Sequence, residues 1–152
     1  MDKTYIALVV PIVGWLLALL GLYIANKQAN SRETRKEYRT TLTTLEVTID
    51  RLLHAFRTYL SESGDVKGEQ ARLMVHSELG RIRRQIEFLE PTIGKGLENK
   101  FTLMYEAVTG GDFESKSRTG QTEAKDYSRI VTAAENLLEC TEGWFKGTYH
   151  KE

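Results

Sequence analysis

Cysteine is almost absent from this chain, whose single thiol, Cys140, has no second cysteine to pair with. An intramolecular disulfide is excluded, and nothing points to an oxidising compartment. Cys140 falls within an apolar helical pattern, which predicts a buried structural thiol. Proline is scarce as well: Pro11 and Pro91 are the only two, so long stretches are free to be helical. Net charge is missing, with 21 basic side chains against 21 acidic ones. Binding by phosphate neutralisation needs a basic face, so nucleic acid is not an expected partner. Catalytic signatures are lacking too. There is no phosphate-cradling glycine loop, nucleophile elbow, paired-cysteine metal site or His-Glu-x-x-His helix. The chain therefore reads as non-enzymatic, with no cofactor and no metal.

One long apolar run is present. Tyr5 to Ala25 contains no charged or amide side chain, and at about 1.5 Å per residue it measures about 31 Å, the thickness of a hydrocarbon core. Tyr5 and Tyr23 stand near its ends, where amphipathic aromatics favour headgroups. A signal peptide would have a shorter apolar region and a small-x-small cleavage site, which Asn26-Lys27-Gln28-Ala29 does not offer. The expectation is an uncleaved transmembrane helix over residues 5–25, preceded by a short extracytoplasmic segment, 1–4.

Small residues recur along this run at Ala7, Pro11, Gly14, Ala18, Gly21 and Ala25, spaced 4, 3, 4, 3, 4. That repeat makes one stripe, the kind on which membrane helices approach closely, and predicts a homo-oligomer or a membrane partner. Pro11 would leave a carbonyl unpaired and kink the outer half. Trp15, near mid-membrane, is expected against a neighbouring helix.

Residues 26–39 hold Lys27, Arg32, Arg35, Lys36 and Arg39 against Glu33 and Glu37, a local balance of plus three. They read as a juxtamembrane collar in contact with membrane lipid. Because basic residues are retained on the cytosolic side, and Lys3 stands alone on the other flank, the amino terminus is expected outside and the remaining domain, 40–152, in the cytosol of a bacterial inner membrane. That domain carries 15 basic and 18 acidic side chains.

Four segments of the domain repeat one pattern. The first aligns Leu42, Leu45, Ile49, Leu52, Leu53, Phe56 and Leu60, in a helix beginning near Asn30 as a cap with Glu33 reaching back, and the loop Ser61 to Gly68 ends it. The second aligns Val75, Leu79, Ile82, Ile86 and Leu89, stopped by Pro91. The third has Leu97, Phe101, Met104 and Val108, closed by Gly110 and Gly111, and the fourth Tyr127, Ile130, Ala134, Leu137, Thr141 and Trp144. Heptad-like, coiled-coil-type spacing with short connections predicts an all-α, up-down antiparallel four-helix bundle. The collar either continues the membrane helix into the bundle or is a flexible joint at Asn26 to Ser31. The one long connection, Gly110 to Thr122, is a mobile loop or a partner-contact site centred on Phe113.

Glu46, Asp50 and His54, at i, i+4 and i+8, form the most suggestive polar row. Such a row suits a metal or acid-base chemistry, and equally a solvated edge paired with Arg51 or Arg57. The Arg-to-His intervals that mark HEPN-type helical ribonucleases are longer than Arg72 to His76 or Arg51 to His54, so that resemblance fails. Arg72, Arg81, Arg83 and Arg84 are expected to pair with Glu78, Glu87 and Glu90 along their own helix. Trp144 and Phe145 are expected to cap the core.

The plan of one span, a basic collar and a helical bundle resembles that of many small bacterial inner-membrane proteins. It implies a membrane-tethered interaction protein with a protein partner, in a role such as phage exclusion or abortive infection. A lysis role like that of inner-membrane spanins is the alternative, although their domain is periplasmic. A membrane-anchored helical enzyme comes third.

Overall fold

The computed structural model describes the backbone of residues 3–62, 66–110 and 120–149, and the side chains of 13–62, 66–110 and 127–149. The described residues form four helices and no strand: α1 (Lys3–Ser61), α2 (Val66–Ile93), α3 (Gly96–Thr109) and α4 (Gly120–Tyr149). The chain divides into two compact units, Met1–Tyr38 and Arg39–Glu152.

Helix α1 runs without a break through residues 26–31. The reason is local. No glycine or proline stands between Gly21 and Ser61, and Ala29, Glu33, Arg35, Lys36 and Glu37 are good helix formers. Asn30 is consequently no cap, which would require it to stand outside the helix. It is an interior residue whose carbonyl accepts from Thr34 Oγ1 at 2.9 Å.

Apolar periodicity becomes the core of the second unit. Leu42, Leu45, Ile49, Leu52 and Phe56 are buried on α1, and Val75, Leu79, Ile82, Ile86 and Leu89 on α2. They meet Leu97, Phe101, Met104 and Val108 of α3 and Ile130, Ala134, Leu137 and Thr141 of α4. Four details differ from expectation. Tyr127, first in the series of α4, is half-buried. Leu53 and Leu60 are half-buried, while Ala55 and Tyr59 take core places. Trp144, placed in the fourth apolar series, is half-buried, while its neighbour Phe145 is buried; the two flank the centre of the apolar face at about equal angles, and both stand at the core's edge. Cys140 is half-buried.

Thr48 of α1 meets Gln85 of α2, and the two lie at comparable distances from the α1–α2 connection, so these helices run antiparallel. Backbone approach is close between α2 and α3 and between α3 and α4. The helical bundle is thus connected in chain order by neighbouring helices.

Pro91 does not stop α2, which continues to Ile93. Gly94 stops it, at φ 96, donating its N–H to Glu90 O at 2.7 Å. A left-handed residue after the last turn is the usual helix terminator, and glycine takes it without steric cost. Proline in a final turn removes just one donor. Gly68, expected in the preceding loop, is a buried residue inside α2. Gly110 closes α3 as expected, donating to Glu106 O at 2.8 Å.

Threonines in α1 bond backward along the helix. Thr43 donates to Arg39 O (3.1 Å), Thr44 to Thr40 O (2.8 Å) and Thr48 to Thr44 O (2.7 Å). This satisfies the hydroxyls locally and lets Thr48 sit at 4% exposure among apolar neighbours.

Candidate functional site

Within the first unit, every residue from Val13 to Ala25 is exposed. Trp15 stands at 73% and Leu22 at 68%, and Leu16, Leu17, Leu19 and Leu20 all exceed half. A bundle helix would shelter one stripe, whereas this apolar surface continues all the way round. Exposed apolar surface of this extent marks contact with a membrane or another protein.

Among the described residues, no helix is long and apolar enough to cross a membrane. The described part of the apolar run, Val13 to Ala25, covers about 20 Å, short of a hydrocarbon core of about 30 Å. Residues 5–12 would bring the run to full length; their backbone belongs to α1, but their side chains, Ala7 and Pro11 included, lie outside the described ones.

Among the described residues, nothing crowds the rest of the stripe. A Cβ at Gly14 or Gly21 would meet no atom within 4 Å, and Ala18 and Ala25 are exposed. Both glycines are therefore dispensable for the unit's own packing.

Of the collar, Lys27, Arg32, Arg35 and Lys36 are exposed members of the first unit. Arg39 differs. It opens the second unit, where its Nη1 donates to Glu142 Oε1 at 2.7 Å and its guanidinium carbon stands 5.4 Å from the centre of the Phe145 ring. Sequence reasoning grouped Arg39 with lipid because a partner 103 residues away leaves no local signal. Phe113, the expected contact residue of the long connection, lies outside the described residues.

Glu46, Asp50 and His54 are all exposed. No group of three or more His, Cys, Asp or Glu side chains among the described residues is arranged to hold a metal. The arginines of α2 behave largely as expected: Arg81 bonds Glu78 at 2.9 Å and Arg83 bonds Glu87 at 3.1 Å. Arg72 chooses Glu69, at 2.6 and 3.0 Å, a partner one turn earlier that the sequence reading overlooked. Such helix-surface pairs contribute only about 0.2–0.5 kcal/mol each.

Two grooves flank α3. One, of about 180 Å³, lies between α2 and α3 over Ile86, Phe101 and Tyr105; the other, of about 340 Å³, lies between α3 and α4 beside Leu103 and Arg129. Small-molecule sites are typically about 300–1,000 Å³, so the first is too small for a metabolite and the second is at the lower bound. The all-round apolar surface of the first unit is the larger anomaly. Comparison with known proteins finds no matching family model, no matching curated protein and no matching solved structure.

Proposed function

We propose that this chain is a non-enzymatic, single-pass, membrane-tethered interaction protein. Residues 5–25 are its span and the bundle is its cytosolic binding domain at a bacterial inner membrane. The observation that carries the reading is the uninterrupted exposure of Val13 to Ala25 among the described residues. Together with Tyr5 to Ile12 in the sequence, that surface reaches the length of a hydrocarbon core.

The charge asymmetry supports the orientation. Five basic residues follow the run within the distance over which insertion is sensitive to charge, against Lys3 before it. Lipid contact is graded along the collar. At about 1.5 Å per residue, Arg32 stands about 10 Å beyond Ala25 along the helix and Lys36 about 16 Å, against a screening length of about 8 Å. Lys27 and Arg32 are therefore the main lipid-facing cations. The stripe of Gly14, Ala18, Gly21 and Ala25 is the proposed surface for a second membrane helix.

Full-length chain expressed in bacteria tests this reading through carboxy-terminal reporters and extraction of membranes with alkaline carbonate. The expected result is a fluorescent cytosolic reporter, an inactive alkaline-phosphatase fusion and protein retained in the pellet. Release into the supernatant would overturn the span. Active phosphatase would overturn the orientation and favour a periplasmic bundle.

A further inference from the structure

The final turns of α4 read Glu142-Gly-Trp-Phe-Lys-Gly-Thr-Tyr149, with glycines at 143 and 147. Each glycine disfavours a helix about fivefold relative to alanine. Close packing does not demand them, since a Cβ at either would meet nothing within 4 Å. Helicity here rests on tertiary contacts rather than on local preference.

Those contacts converge on one place. Phe145 is buried at 4% exposure, and Arg39 stands over its ring while bonding Glu142. Lys146 approaches the same carboxylate at 3.9 Å. Tyr149 leans back on Phe145 at a tilt of 46°, with ring centres 5.0 Å apart, and meets Trp144 edge-on at 6.0 Å. Arg39 is also the first residue of the second unit, so it stands where α1 enters the bundle.

We propose that residues 142–149 form a conditional strap, docked as helix while Arg39 is seated on Glu142 and Phe145 and melted when a shift of α1 withdraws it. The ion pair is reachable by solvent, with side-chain exposures of 54% for Arg39 and 37% for Glu142. An exposed ion pair and a cation–π contact each shift an equilibrium by a few-fold, which is comparable with the penalty of one glycine. Beside the burial of Phe145, Arg39 thus contributes on the scale of the glycine penalty. Melting uncovers Phe145 and frees Glu142, so a displacement of α1 becomes a new aromatic surface at the far end of the chain. This inference does not depend on where residues 5–25 reside.

Hydrogen–deuterium exchange of the full-length chain in mild detergent micelles tests it. Arg39→Gln is expected to speed exchange across 142–149 about five- to tenfold while the core amides 75–89 of α2 keep their rate. In the natural background, Gly143→Ala with Gly147→Ala is expected to slow exchange at the strap about as much, and in Arg39→Gln to restore protection. Unchanged exchange at 142–149 in Arg39→Gln would overturn the proposal. So would an equal rise at 75–89, or no effect of the alanine pair.

Discussion

Gln85 donates its side-chain N–H to Thr48 Oγ1 at 3.4 Å, across the α1–α2 seam, while its own Oε1 is buried with no hydrogen-bond partner among the described residues. A long bond on one atom and an unpaired acceptor on the other make this amide a weak fastener. Thr48 does not need it, because its hydroxyl already donates to Thr44 O. Gln85→Leu is expected to raise unfolding free energy by about 1 kcal/mol, the scale of one unpaired buried polar atom. Urea denaturation followed by circular dichroism checks it; a fall in the midpoint would show that the amide is better satisfied than its geometry indicates.

Glu78 and Arg81 should respond with opposite signs. Glu78 is buried at 4% exposure with Oε2 unpartnered, whereas the Arg81 side chain is half in solvent and supplies the one bond to Oε1. Removing the arginine leaves a buried carboxylate without its donor, at a cost of about 1–3 kcal/mol. Removing the carboxylate releases Arg81 to water. Glu78→Met is expected to be neutral or stabilising and Arg81→Ala destabilising, measured in the same denaturation series.

Two glycines at helix ends are needed for different reasons. Gly94 holds φ 96 with open space around a Cβ, so Gly94→Ala meets backbone strain alone, about 1–2 kcal/mol. At Gly110 the backbone is ordinary, but a Cβ would collide with the Glu106 carbonyl oxygen that accepts its N–H. Gly110→Ala is expected to open that cap. Thermal melts should show both losses. Asn at position 94, tolerant of the left-handed region, should recover part of the first and asparagine at 110 none of the second.

Gly14→Leu and Gly21→Leu should leave the bundle untouched, since a Cβ at either position meets no atom of the described residues within 4 Å. Membrane retention is expected to be unchanged or stronger. Self-association in lipid nanodiscs, read by energy transfer between labelled copies, is expected to weaken about tenfold, the scale of a closely packed helix pair. Undiminished transfer would reduce the segment to a tether.

Much of the bundle was legible because burial follows a period that sequence displays directly, as at Val75, Leu79, Ile82, Ile86 and Leu89. Errors arose where a second effect competed with that period. Gly94 displaced Pro91 because a left-handed turn ends a helix more decisively than one missing donor in its last turn. Asn30 looked like a cap only while the segment before it was treated as separate from the helix. Arg39 shows the limit of local reading. Its charge was visible, but its partners, Glu142 and Phe145, come to it only through the fold.

The backward-bonding threonines of α1 change how that stretch of helix looks from outside. Thr43, Thr44 and Thr48 turn their hydroxyl protons into their own helix, so what they offer a neighbour is chiefly a methyl group. A hydropathy scale counts these residues as polar, yet to an approaching surface they resemble valine with a concealed oxygen. Thr-to-Val changes at 43 and 44 should therefore alter what α1 recognises far less than their chemistry on paper suggests.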